Sequence, residues 1–429
     1  MRHTMTFHRK KKMILSILVI LMVGSIALLL GLRYRDVSAF FQGQAEASVS
    51  RVGHLNEKRF RPPLQRLLGA QVLTLNCKNY GEVEQSIVDL MEAGVNTLIV
   101  RAFQNHGDTF HRFARPRCQV GVYFETEHAE VVDPVLTRLV SIAHRHGLQV
   151  FAWMETRKMP LRLNNPGKAQ AVRYDFAKKT FELVPMWSIF AEEVQRSLVE
   201  LYQDVARTGI DGILVQDDLV MYQYEDFYPG AVSLFERETG KVLSPKTLYL
   251  SIFKSPKGRW FVRNYSYTFW RWSRWKNQKL LDLARNLIRA TREVNPNIKF
   301  ALNFMYESVT DQDNALAWLS QDLEAAMRLP LDFYAIMAYH RQIKKELHLS
   351  DEETYEKIAS MTANLLRVID DPSKILMKIQ VQDWDTRKQI PSSEIDEVLR
   401  RINSQSKISL AFVPYSGRRS LGVISRYFR

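Results

Sequence analysis

Eight short apolar runs, separated by stretches of helical periodicity, constrain this chain more than any other feature. The runs cover residues 69–75, 97–103, 149–154, 212–216, 299–304, 333–338, 375–381 and 409–414. Between them, amphipathic patterns occupy 83–93, 134–146, 190–206, 280–294, 316–327, 355–369 and 393–402. A strand that is apolar almost without interruption belongs in a parallel sheet covered on both faces. Eight such strands alternating with helices predict an α/β protein of the (β/α)8, TIM-type barrel class. An open doubly wound sheet is the alternative. It normally carries a glycine-rich phosphate turn after its first strand, and no GxGxxG is present.

The barrel pattern begins near residue 67, so the predicted organisation is a basic segment (1–12), an apolar span (13–32), a polar stalk (33–66) and a barrel (67–429). Residues 13–32 contain no charge, and Arg9, Lys10, Lys11 and Lys12 precede them directly. Twenty helical residues rise about 30 Å, the thickness of a hydrocarbon core. Positive charge stays cytoplasmic, which predicts a single transmembrane helix in a bacterial inner membrane with the barrel on the periplasmic side. A cleaved signal peptide is the rival reading, with weak small-x-small sites at Val37–Ala39 and Ala45–Ala47.

The formal charge of +14 is concentrated in this arm, where residues 1–62 carry 11 Lys/Arg and 3 Asp/Glu. No dense basic run follows Arg61, which argues against a nucleic-acid partner. With 46% hydrophobic residues the chain can bury a large core, and disorder over most of its length is excluded. The two cysteines, Cys77 and Cys118, form no zinc-type spacing, and one disulfide between them remains an option.

Polar and aromatic residues collect just after the strands: Arg101, Gln104 and Asn105; Trp153, Glu155 and Arg157; Asp217 and Asp218; Asn303, Tyr306 and Glu307; Tyr339 and His340; Gln380, Gln382, Asp383 and Trp384; and Tyr415. In a barrel these ends converge on the face that holds active sites. Trp153, Tyr306, Tyr339, Trp384 and Tyr415 are candidates for stacking on sugar rings, although each taken singly is as well explained as a core aromatic.

The most informative segment is Asp211-Gly-Ile-Leu-Val-Gln-Asp-Asp218, with Glu225 and Asp226 following in the next loop. Glycoside hydrolysis needs two carboxyl groups across the scissile bond, one to protonate the leaving oxygen and one as nucleophile or base. Adjacent strand residues face opposite ways, so Asp217 and Asp218 are not expected to act identically. Helix capping is the plain alternative for an Asp pair. The acidic group does not match an EF-hand loop, and neither metal nor cofactor is expected. The aromatic and basic stretch 264–276 reads as a segment packed on the barrel, with a substrate wall or a lipid-facing amphipathic helix as the alternatives.

The segment Asp-Gly-Ile-Leu-Val-Gln-Asp-Asp-Leu, followed by Tyr-Glu-Asp-Phe-Tyr-Pro at 224–229, resembles the C-terminal glycoside hydrolase domain of PgaB-type proteins. Supporting matches lie in order at 122–124 (Val-Tyr-Phe), 152–154 (Ala-Trp-Met), 201–204 (Leu-Tyr-Gln-Asp), 275–276 (Trp-Lys), 301–304 (Ala-Leu-Asn-Phe), 336–339 (Ile-Met-Ala-Tyr) and 380–384 (Gln-Val-Gln-Asp-Trp). The resemblance implies an endo-glycosidase acting on partially de-N-acetylated poly-β-1,6-N-acetylglucosamine in biofilm exopolysaccharide processing. It implies catalytic roles for Asp217, Asp218 and Glu225, and proteins of exopolysaccharide synthesis or export as partners. Gln216 stands where the family often has His, and Gln223 where an acidic residue would be unsurprising. The deacetylase domain of the family is not expected in this chain. The other function classes are a noncatalytic glycan-binding barrel that guides export and a scaffold for membrane assembly.

Overall fold

The computed structural model describes residues 66–428 apart from 257, 403–406 and 416, and these belong to a compact unit spanning Pro63–Arg429. The apolar span 13–32 lies outside the described residues. Among the described residues, no helix is long and apolar enough to cross a membrane.

All eight predicted runs form strands of one closed parallel barrel. They are β1 (Leu68–Val72), β2 (Thr97–Arg101), β3 (Gln149–Met154), β4 (Gly212–Val215), β5 (Lys299–Phe304), β6 (Phe333–Ala338), β7 (Ile375–Gln380) and β8 (Ser409–Tyr415). Each strand pairs with its sequence neighbour, and β1 closes the ring against β8. The outer layer includes α1 (Tyr80–Glu92), α2 (Leu136–Arg145), α3 (Glu192–Arg207), α4 (Tyr267–Val294), α5 (Asp351–Val368), α6 (Ser392–Arg401) and α7 (Arg418–Phe428).

Strand alternation fills the barrel interior. Phe151 and Phe333 point inward, with ring centroids 6.0 Å apart. Gly212 stands where Phe151 sweeps past, and a Cβ there would meet the ring at 2.5 Å. Large rings on one strand therefore demand a missing side chain on the next.

Two helical expectations are revised. The pattern at 280–294 extends back to Tyr267, because the 3.6-residue stripe continues through buried Phe269, Trp272, Ser273, Lys276 and Asn277. Ser266 caps this end by accepting from Phe269 N–H at 3.0 Å. The pattern at 316–327 is split into Gln312–Leu319 and Leu323–Ala326 by Ser320, whose φ of 51° ends the first helix, while Asp322 caps the second.

The connections at the carboxyl ends of the strands carry the irregular structure. Antiparallel ribbons follow β2 (Phe103–Gln104 with Gly121–Val122), β3 (Gln170–Asp175 with Thr180–Trp187) and β4 (Tyr249–Lys254 with Trp260–Tyr265). These ribbons wall the side of the mouth nearest β2–β4.

Candidate active site

The end of β4 delivers Asp217 and Asp218 into different surroundings. Asp218 is 3% exposed, and both its oxygens are taken. They accept from Thr156 N–H at 2.9 and 3.1 Å, Thr156 Oγ1 at 3.0 Å and Lys158 N–H at 2.8 Å. Burial pushes the Asp218 carboxyl up, and these hydrogen bonds pull it back. Its carboxylate therefore fixes the loop after β3. Asp217 is half-buried and has no hydrogen bond or ion pair among the described residues. Its charge reaches Asp218, Tyr222, Tyr339 after β6 and Lys378 of β7.

Glu155 follows β3 and is 3% exposed. Oε1 accepts from Asn105 Nδ2 at 2.8 Å, and Oε2 has no hydrogen-bond partner among the described residues. Burial, reinforced by the neighbouring Asp218 charge, raises this carboxyl to about 8. At neutral pH it is a protonated acid beside Asp218, the kind of proton donor that hydrolysis of a glycosidic bond requires.

Lys378, inside β7, was not singled out from the sequence. It is fully buried, donates to Asn303 Oδ1 at 3.0 Å and lies 5.8 Å from the Tyr339 ring centroid. Burial lowers its ammonium to about 8, while Asp217 holds it up. A lysine within the otherwise apolar run Ile-Leu-Met-Lys-Ile at 375–379 was the available signal, since a charge inside a covered parallel strand needs a partner.

Glu225, implied as a third catalytic carboxylate from the neighbouring loop, is engaged in a buried ion pair. It is 1% exposed and accepts from Arg157 Nη2 at 2.9 Å. Arg157 also donates to the carbonyls of Trp187 and Val220, and Lys276 donates to those of Tyr222 and Glu225. Asp226 accepts from Val172 and Tyr228 N–H, both at 2.9 Å. Two buried cations and two buried anions thus tie the β4 loop to the β3 ribbon and to α4. Burial pulls the Lys276 ammonium well down, opposed by Glu225.

The predicted binding residues divide. Arg101 pairs with Asp108 at 2.7 Å and packs its guanidinium 5.1 Å from Trp153, so both stay at the mouth beside Glu155. Asn303 holds Lys378. Tyr339 meets Trp384 edge-on, at 5.4 Å between centroids, giving an aromatic rim above β6 and β7.

The others are committed to the scaffold. Gln104 donates to Gln119 O at 2.8 Å and accepts from Tyr123 Oη. Gln382 donates to Arg387 O at 2.7 Å. Asp383 organises the turn at 385–386 and pairs with Arg341 at 3.1 Å, which together hold its carboxyl down at about 2. Tyr306 and Glu307 face Glu346 of the helix His340–Leu347, and burial with that neighbouring charge raises Glu307.

Tyr415 turns away from the mouth. The β1–β8 register slips between the Ala70–Phe412 and Val72–Tyr415 pairs. Tyr415 therefore joins Val72 on the outer face, against Val83, Ile87 and Leu90 of α1. Gln223 accepts from Tyr265 Oη through its side chain and from Tyr249 Oη, at 2.8 Å, through its carbonyl. Cys77 and Cys118 are free thiols.

The barrel agrees with comparisons to known proteins. The model of the family described as hypothetical glycosyl hydrolase family 13 matches residues 78–413. The chain belongs to that family. It is a glycoside hydrolase domain by this membership.

Two curated relatives, the poly-β-1,6-N-acetyl-D-glucosamine N-deacetylases of Escherichia coli K12 and O157:H7, are 22% identical over 253 residues. Those residues are 57% of this chain and 34% of either relative, so the match spans about a third of the relatives' length. Among solved structures, the PgaB (BpsB) glycoside hydrolase domain of Bordetella bronchiseptica superposes with a TM-score of 0.67 at 19% identity, covering 85% of this chain and 99% of that one. The β-amylase catalytic domain of Paenibacillus polymyxa gives 0.53 at 10% identity, covering 85% and 98%. At these identities the structural likeness establishes the shared barrel.

Proposed function

We propose that this chain is an endo-glycosidase that cleaves partially de-N-acetylated poly-β-1,6-N-acetylglucosamine at the mouth of its barrel. The observation that carries the reading is the contrast between Asp217, left without a partner among the described residues at the end of β4, and Glu155 after β3, buried next to the Asp218 charge and raised to about 8. The E. coli relatives are named for that polymer, and the Bordetella domain shares the fold.

In this mechanism Glu155 gives its proton to the leaving glycosidic oxygen. Asp217 carries the negative charge that meets the developing oxocarbenium ion, as nucleophile or as base for water. Asp218 and Glu225 are positioning residues: the first holds the loop bearing Glu155, and the second holds the loop beyond Asp217. Lys378 brings a buried positive charge within electrostatic reach of Asp217. Trp153, Tyr339 and Trp384 offer faces for sugar rings. The carboxylates around the mouth suit the ammonium groups of de-N-acetylated residues.

The uncharged span 13–32 with its basic flank supports an inner-membrane anchor and a periplasmic barrel working beside exopolysaccharide synthesis or export proteins. Incubation with partially de-N-acetylated polymer and analysis of product length tests the activity. Shorter oligosaccharides are expected. Binding without cleavage would replace the hydrolase reading with a glycan-holding barrel.

A further inference from the structure

A second surface lies on the outer half of the ribbon that follows β4. The ribbon Tyr249–Lys254/Trp260–Tyr265 is anchored at its base, where Tyr249 is 6% exposed against Phe269 and its hydroxyl donates to Gln223 O. Its outer half is different. Cross-strand register and alternation put Ile252 and Trp260 on one face and Phe253 and Phe261 on the other. Their exposures are 37%, 37%, 47% and 42%. The two Phe rings stack on each other at 5.5 Å with no cover from the barrel. Leu250, nearer the base, is 67% exposed.

A two-stranded ribbon with apolar side chains on both faces is marginal in water and prone to association. One flat protein surface would cover only one face, whereas insertion into a fluid apolar phase covers both.

The charges around the tip indicate which phase. Between Glu238 and Asp282 the sequence holds ten Lys/Arg and no Asp or Glu. Lys254, Arg259 and Arg263 are exposed on the ribbon and have no ion pair among the described residues. Lys254 Nζ lies 5.9 Å from the Trp260 ring centroid, which places an ammonium beside an indole. Aromatic side chains with a purely cationic collar match the interface of a bilayer that carries anionic headgroups. The neighbouring ribbon after β3 exposes Phe181 and Leu183 but sets Glu182 among its cations, pairing it with Arg173 and Lys178, so its collar is mixed in charge.

We propose that the tip of the Tyr249–Trp260 ribbon inserts into the headgroup region of an anionic phospholipid bilayer, as a membrane contact separate from residues 13–32 and independent of the glycan-cleaving activity. Gln223 joins the base of the ribbon to the loop that carries Glu225. A membrane-seated ribbon therefore holds the mouth at a fixed side of the bilayer.

The test uses the full-length chain reconstituted into vesicles whose acyl chains carry bromine, made either of phosphatidylcholine alone or of equal parts phosphatidylcholine and phosphatidylglycerol. The signal is the fluorescence attributable to Trp260, obtained by subtracting the Trp260→Phe variant. Strong quenching is expected in the anionic vesicles, falling as salt is raised. The exposed double substitution Lys254→Ser/Arg259→Ser should weaken partition of the tip about thirtyfold, with an unchanged melting temperature as the check on folding. Equal quenching in neutral vesicles would overturn the anionic assignment. Absence of Trp260 quenching in both vesicle types, or its replacement by cross-links between chains at the ribbon, would overturn the membrane contact.

Discussion

Arg157 Nη2 and Glu225 Oε2 meet at 2.9 Å with neither side chain reaching solvent. Each charge leaves water only because the other does, and the carbonyls of Trp187 and Val220 satisfy further donors of the guanidinium. Removing one partner strands the other in a low-dielectric site, which costs about 3–5 kcal/mol. Glu225→Ala and Arg157→Met are each expected to lower unfolding free energy by about that amount in denaturant titrations. The Arg157→Met/Glu225→Met pair should recover part of the loss. Full stability with lost turnover in Glu225→Gln would instead return Glu225 to the reacting groups.

Asp217 and Asp218 should separate experimentally. Asp217→Asn is expected to lower turnover at least about a hundredfold while leaving polymer binding and melting temperature near wild type. Asp218→Asn would point an amide N–H group at the backbone donors of Thr156 and Lys158. It should lose about 1–3 kcal/mol of stability as well as activity. Melting curves and cleavage rates on the same preparations distinguish the two. An Asp217→Asn variant of full activity would remove its catalytic assignment.

Glu155 binds its proton more tightly folded than unfolded, because its carboxyl is raised from 4.5 to about 8. Its contribution to stability is fully present below about 4.5 and is lost as pH rises through about 8. Activity should fall on the alkaline side over the same upper range, as the acid loses the proton it must deliver. In Glu155→Gln that alkaline limb should vanish, turnover should drop about 10²–10⁴-fold, and the decline of stability between those limits should flatten. A pH–rate profile and pH-dependent denaturation check both parts.

Lys378 is buried within electrostatic reach of Asp217, whose charge holds its ammonium up against burial. Lys378→Met keeps the length of the side chain and removes the buried charge that Asp217 and Asn303 face. Turnover at neutral pH is expected to fall, with KM and melting temperature little changed. An unchanged kcat would show that Lys378 serves packing alone.

A reporter fused after Arg429 tests the orientation implied by Arg9–Lys12. Activity is expected only outside the cytoplasm, and cytoplasmic activity would overturn the proposed localisation together with its substrate.

The sequence by itself determined the barrel. Strands β3, β5 and β6 begin and end where the apolar runs do, because burial of a parallel strand on both faces writes itself into consecutive residues. It also placed Asp217 and Asp218 at the end of β4, since the barrel pattern defines which end of a strand faces the mouth. What it could not determine was the state of each carboxyl group. Asp217, Asp218 and Glu225 are equivalent as letters. One has no partner among the described residues, one is saturated by a loop about sixty residues earlier, and one is neutralised by Arg157, 68 residues away. Glu155 becomes an acid through desolvation among loops from β2, β3 and β4, and Tyr415 leaves the mouth through a register slip between the first strand and the last. Periodicity is a local property of the chain, whereas solvation and charge pairing depend on groups that only the closed barrel brings together, so the tertiary structure alone decided which strand-end residues remain free to meet a substrate.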